Sequence, residues 1–173
     1  VGITGSKGKT GVALMLSYLL QLAGRQVGMA CSDGLFVDRR AIGRDDAADF
    51  ESARRVLVNR NIEAAVIENG PRAIVTEGLA YDRCAVGVVT NIDPEHMDHY
   101  KSLDALKHAF VEFCNRVPFY GLSVLCLDHP NVQALLPSLD KRYVTYGSSH
   151  AADYRLEGIT LDGFSTRFHA FRR

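Results

Sequence analysis

Short apolar runs recur along this chain, separated by stretches in which apolar residues fall at helical spacing. The start Val1-Gly2-Ile3 leads through glycines into a run from Val12 to Ala23, apolar nearly all round and interrupted by Ser17, Tyr18 and Gln21. Such a run predicts a helix buried against a sheet, and Gly24 is placed to end it. Val27 to Cys31 reads as a short buried strand followed by the turn Ser32-Asp33-Gly34. Leu35-Phe36-Val37 and Ala41-Ile42, around Asp38-Arg39-Arg40, predict a small hairpin off the main sheet. Asp45 or Asp46 is expected to cap a helix running to about Arg60, with Ala48, Ala53, Val56 and Leu57 on its inner side.

Further along, Ile62 to Ile67 and Ala85 to Val89 are strand-like, each ending in polar residues: Glu68-Asn69 and Thr90-Asn91. Ala73 to Leu79 reads as a helix or turn, and Ser102 is expected to cap a helix to about Arg116 that aligns Leu103, Leu106, Phe110 and Phe113. Leu122 to Leu127 predicts another buried strand. Asp128 is then expected to cap a short helix to Leu136, and Tyr143 to Tyr146 a strand. The alternating runs around Asp162-Gly163 predict a hairpin. Strands alternating with helices give the expected fold class: α/β, a mostly parallel sheet flanked by helices, like a phosphate-loop NTPase, with a C-terminal β-hairpin region.

Candidate chemistry sits in the first turn. Thr4-Gly5-Ser6-Lys7-Gly8-Lys9-Thr10 lies between a strand and a helix, the context a phosphate-binding loop needs. Glycines let backbone N–H groups approach phosphate oxygens, and the helix start points its positive end at the same anion. Gly5, Ser6, Lys7, Gly8, Lys9 and Thr10 are therefore the expected nucleotide contacts, with Lys9 toward the terminal phosphates and the Thr10 hydroxyl toward Mg²⁺. The general pattern G-x-x-x-x-G-K-[ST] is not met, because Ile3 stands five before Gly8. An ordinary glycine-rich turn is the alternative. Glu68 and the segment Thr90 to Asp98 follow strands too, and in a parallel sheet these ends share one crevice. Mg²⁺ prefers oxygen ligands and keeps waters, so few side chains suffice. Thr10 and Glu68 are the candidates for one ion and His96 for a second, with Asp98 or Glu95 orienting His96. A helix cap for Glu68 and a solvated loop for His96 are the structural alternatives.

Composition narrows the partners. Twenty basic and twenty acidic residues cancel, which leaves no electrostatic footprint for nucleic acid. The 47% apolar fraction is ordinary for a globular domain, and no apolar run reaches membrane-spanning length. Cys31, Cys84, Cys114 and Cys126 lack C-x-x-C spacing and are expected to be free thiols in a reducing, cytoplasmic setting. The chain starts within its first strand, and the expectation is one domain of a longer protein.

Taken together, Thr4 to Thr10, Glu68 after an apolar strand, and Thr90-Asn91-Ile92-Asp93-Pro94-Glu95-His96-Met97-Asp98 resemble the central ATPase domain of the Mur ligase superfamily. The likeness covers nearly all of residues 1–173, with Glu95 and Met97 as mild departures from its T-N-x-x-x-D-H-L-D motif. The second half, through His96 to Tyr100, Pro118-Phe119-Tyr120-Gly121 and Tyr146-Gly147, resembles the branch that joins L-alanine to UDP-N-acetylmuramate. The first half, through Ser32-Asp33-Gly34 and Glu77 to Cys84, resembles the ligase half of cyanophycin synthetase. A divergent hybrid relative and a chimera both produce such a mosaic. The resemblance implies an ATP-dependent carboxylate–amine ligase acting through an acyl phosphate, with ATP and Mg²⁺ as cofactors. Its substrates would be a nucleotide-sugar or peptide carboxylate and an amino acid. Lys9, Glu68 and His96 would be the catalytic residues, Thr10, Glu68 and His96 the metal ligands, and Asn91 a contact to phosphate or substrate. Flanking domains would hold the substrates, and Phe110 stands where several members carry a carbamylated lysine. A phosphate-loop kinase or NTPase, or a non-catalytic nucleotide-binding remnant, are the readings from other classes.

Overall fold

The computed structural model describes all residues except 71–73, 75 and 94–101. Among these described residues, ten strands form one sheet in the order β10-β9-β8-β7-β6-β1-β5-β2-β3-β4. They are β1 (Gly2–Thr4), β2 (Val27–Cys31), β3 (Gly34–Val37), β4 (Arg40–Gly43), β5 (Ala64–Glu68), β6 (Val86–Val89), β7 (Leu122–Cys126), β8 (Tyr143–Gly147), β9 (Tyr154–Asp162) and β10 (Ser165–Arg172). Helices with described bounds include α1 (Lys9–Leu22), α2 (Phe50–Leu57), α3 (Leu103–Asn115) and the single turn α4 (Pro130–Gln133).

β1 lies at the centre, parallel to β5 on one side and β6 on the other. From β1 the chain moves outward to β2 through α1, and after β5 it crosses β1 and builds β6, β7 and β8 on the other side. This reversal makes a crevice beyond the carboxyl ends of β1, β5 and β6, where open α/β sheets bind ligands.

Alternation along the strands sets the layers. Ile3, Met29, Val66 and Val88 pack with Ala13 of α1 on one face. Ile67 and Ala30 pack with Ala53 and Val56 of α2 on the other. Val89 and Leu125 meet Leu106, Phe110 and Phe113 of α3 on that second face. Phe110 is thus a core residue, 1% exposed. Ser102 caps α3 as expected, its Oγ accepting the Ala105 N–H at 3.1 Å. Burial pushes the thiols of Cys31, Cys84 and Cys114 up, the last to about 12, so they remain protonated thiols.

The structure corrects four expectations. The β3–β4 hairpin does not lie off the sheet: β3 pairs antiparallel with β2 and extends its edge. The cap of α2 is Asp49, whose carboxylate accepts from the Ser52 N–H at 2.8 Å and from its hydroxyl at 2.7 Å. Asp45 and Asp46 precede the helix, as does Ala48, and Leu57 is exposed. α1 is not buried all round: Leu14, Met15, Tyr18, Leu19 and Leu22 form an exposed stripe, while Ala13 and Ser17 face the sheet. Asp128 does not cap α4, whose N-cap is His129. Its carboxylate instead accepts from the Ser148 and Ser149 amides and the Ser148 hydroxyl, at 2.7 to 3.0 Å. Partial burial works against its charge, but these donors prevail and hold its carboxyl below the usual range.

Candidate functional site

The loop between β1 and α1 is fastened to the end of β6. Gly5 sits at φ 137°, and a Cβ there would run into the Thr90 hydroxyl and lie 3.0 Å from the Asn91 carbonyl oxygen. Only glycine fits both the conformation and the approach. The Ser6 N–H donates to the Asn91 carbonyl at 3.0 Å. The Lys7 N–H donates to Asn91 Oδ1 at 2.8 Å, and Asn91 Nδ2 returns a bond to the Lys7 carbonyl at 3.0 Å. That carbonyl also accepts from the Thr90 hydroxyl at 2.7 Å. The Thr90-Asn91 pair therefore works as a clamp on the loop backbone.

Gly8, at φ 81°, is the N-cap of α1 and has open space where a Cβ would be. No side chain among the described residues caps α1, and no acidic residue stands in its first turn. The first N–H groups of a helix lack intrahelical partners and carry the positive end of its dipole, so this start is suited to an anion.

Lys9 begins α1 beside Glu68, the last residue of β5. Its Nζ donates to the Ser6 carbonyl at 3.2 Å and lies 4.0 Å from Glu68 Oε1. The Glu68 side chain is 1% exposed. Isolated burial of a carboxylate is costly, and here Ser32 supplies donors to both oxygens: its N–H to Oε2 and its hydroxyl to Oε1, each at 3.0 Å. Among the described residues Glu68 is thus a buried carboxylate held in the crevice, and residues 71–73, which a cap would reach, lie outside them. Thr10 follows Lys9, half-buried, in the first turn of α1. Thr4 Oγ1, fully buried at the root of the loop, has no hydrogen-bond partner among the described residues.

Residues 3–172 match the Mur ligase middle domain family. The chain belongs to that family. It is 42% identical, over its whole length, to a UDP-N-acetylmuramate–L-alanine ligase of Anaeromyxobacter dehalogenans (strain 2CP-C), covering 34% of that protein. A same-named ligase of Myxococcus xanthus (strain DK1622) is 76% identical over 89 residues, 51% of this chain and 19% of the relative. The chain spans about a third of the length of full-length matches of this kind. Among solved structures, a UDP-N-acetylmuramoyl-L-alanyl-D-glutamate–2,6-diaminopimelate ligase superposes with a TM-score of 0.82 at 16% identity, covering 98% of this chain and 36% of that one. MurF from Acinetobacter baumannii gives 0.72 at 16% identity, over 99% of this chain and 35% of its own. These two likenesses establish a Mur ligase fold for the sheet and its helices.

Within this Mur ligase domain, the structure places Gly5, Ser6, Lys7, Gly8, Lys9, Thr10, Glu68 and Asn91 around the end of β1. Two contacts add detail. The Asn91 carboxamide makes one bond from each end to the Lys7 backbone. Ser32, read from sequence as a turn residue, is the partner of both Glu68 oxygens. A signal for it existed: a serine directly after β2, the neighbour of β5, lies at the same level of the crevice. His96, Glu95 and Asp98 lie outside the described residues. No group of three or more His, Cys, Asp or Glu side chains suited to a metal occurs among the described residues. No helix among them is long and apolar enough to cross a membrane.

Proposed function

We propose that this chain is the Mg·ATP-binding centre of an ATP-dependent carboxylate–amine ligase, of the type that joins L-alanine to UDP-N-acetylmuramate in the cytoplasm. One observation carries the reading: Lys9 stands at an uncapped helix start beside the buried Glu68 carboxylate, under a loop clamped by Thr90 and Asn91. Identity of 42% along the whole chain to an L-alanine ligase supports the substrate pair. The nucleotide-sugar carboxylate and the amino acid would be held chiefly by regions beyond residues 1–173.

When bound, Mg·ATP supplies the phosphoryl group that activates a carboxylate toward an amine. The residues present suit it. The N–H groups at the α1 start would meet phosphate oxygens, and Lys9 would offset the negative charge that builds during transfer. Glu68 and the Thr10 hydroxyl offer the hard oxygen donors that Mg²⁺ prefers, and His96 is assigned to a second ion. Ser32 orients Glu68, and Thr90 and Asn91 hold the loop in its binding shape.

Calorimetric titration with Mg·ATP tests the site. Lys9→Ala and Glu68→Ala are each expected to weaken binding by tenfold or more, roughly the loss of one charge-assisted contact. Unchanged binding in both would overturn the assignment. For the protein extended by its flanking regions, phosphate release is expected to require both UDP-N-acetylmuramate and L-alanine. Release that ignores the amine would point to a kinase or simple NTPase instead.

A further inference from the structure

The turn after β7 reaches the phosphate loop through a chain of contacts that the motifs do not include. His129 Nε2 lies 3.0 Å from Asp93 Oδ1. Asp93 in turn holds two loop residues. Its N–H donates to Ser6 Oγ at 2.8 Å, its carbonyl faces the same hydroxyl at 3.3 Å, and Oδ2 lies 3.8 Å from Lys7 Nζ. Two residues beyond His129, the Asn131 carboxamide donates to the Ile92 carbonyl at 2.7 Å. Ile92 itself is fully buried against α3 and α4.

We propose that His129 is a positioning residue for the phosphate loop, acting through Asp93. This rests on the reading of residues 5–10 as a phosphate cradle.

The geometry argues for a directed contact and not for incidental packing. His129 Nδ1 is buried and has no partner among the described residues. A proton there would be an orphaned donor, so the ring carries it on Nε2, facing Asp93. A donor aimed at Oδ1 fixes the rotation of the carboxylate, and that rotation places Oδ2 toward Lys7. Pro130 at the first position of α4 holds the turn rigid, which sets the histidine's place before the loop is considered. Asn91 and Thr90 clamp the Lys7 backbone from below, while His129 and Asn131 seat the residues immediately after them. The loop is thus braced from two strands, β6 directly and β7 through Asp93.

The probe is Mg²⁺ with inorganic triphosphate, which reads the cradle without an adenine site. The 173-residue chain and its variants His129→Ala, His129→Leu and His129→Gln are titrated by calorimetry, with Lys9→Ala as control. Amide exchange at Ser6 and Lys7 is followed by NMR in the same samples. His129→Ala and His129→Leu are expected to weaken triphosphate binding roughly tenfold, as loss of an orienting partner does, and to speed exchange at Lys7. His129→Gln, which keeps a nitrogen donor, is expected to restore most of both. Leucine keeps the bulk, so it carries the test if the alanine variant does not fold. Wild-type binding in His129→Leu, or a loss in His129→Gln as large as in His129→Leu, overturns the proposal. If Lys9→Ala also binds as wild type, the cradle itself is misread. If Lys9→Ala loses binding while His129→Leu does not, only the role of His129 falls.

Discussion

The carboxyl end of the central strands and the β9–β10 hairpin invert the usual placement of polar and apolar residues. At the first, Glu68, Asn69 and Thr90 are buried, each 6% exposed or less, and each is hydrogen-bonded. At the second, every residue of β10 is exposed, including Phe168 and Phe171. The hairpin joins the sheet only at its root, where Tyr146 and Gly147 pair with Tyr154 and Arg155. A bulge bends it: Gly158 and Ile159 together face Phe168, with Gly158 at φ 60°. Beyond the ladder its side chains are tied by cation–ring contacts, Arg155 over Phe171 at 5.6 Å and Arg172 over Tyr154 at 5.9 Å. The difference teaches where this fold concentrates constraint. Burying polar groups is tolerable only with partners, so a crevice that does it is held rigid by those partners. An exposed ladder tolerates change.

Breaking the loop at its tightest point should have the largest effect on stability. Gly5→Ala adds a Cβ at φ 137° against the Thr90 hydroxyl and the Asn91 carbonyl. Strain and overlap together are expected to cost on the order of 3 kcal/mol. Urea unfolding measures it, and a loss below about 1 kcal/mol would mean the loop relaxes freely.

Next comes the carboxylate. Ser32→Ala removes the hydroxyl donor to Glu68 Oε1 and leaves the Ser32 N–H bond to Oε2. A hydrogen bond to a buried charged group is worth about 2 kcal/mol, so a comparable loss is expected, with weaker Mg²⁺-dependent nucleotide binding. Should stability fall while metal-dependent binding stays intact, Ser32 would be a structural partner alone. A smaller step tests the clamp: Thr90→Val keeps the shape but deletes the donor to the Lys7 carbonyl, at an expected cost of about 1 kcal/mol. Faster amide exchange at Lys7 should accompany it. A neutral result would put the whole clamp on Asn91.

The features legible in the sequence were local ones. The glycine-rich strand-to-helix turn at Thr4 to Thr10, the Ser102 cap and the turn at Asp162-Gly163 each follow from neighbouring residues, and Gly163 takes the positive φ, 56°, that such a turn requires. Ordering strands and helices was enough to give the α/β class. What stayed hidden depends on which surfaces meet. An all-round apolar run does not say which face of α1 touches the sheet, and Leu14, Met15 and Leu19 turned outward. Ser32 and Glu68 are 36 residues apart, and Ser6 and Asp93 are 87 apart. Topology alone brings such pairs together. Asp128 shows the same limit: its position before Pro130 reads as a cap, yet its donors come from the loop after β8.

The smallest expected effect lies at the hairpin tip. Phe164 is fully solvent-exposed just beyond the end of β9, an arrangement that gains almost nothing from burial. Phe164→Ser should therefore leave the urea midpoint and the slope of unfolding unchanged, within about 0.5 kcal/mol. The measurement is informative because aromatic rings are the side chains that gain most from being covered. A loss well above that range, growing with protein concentration, would show the tip packed against another molecule in solution. The contrast between a constrained crevice and an unconstrained hairpin would then hold for the lone chain only.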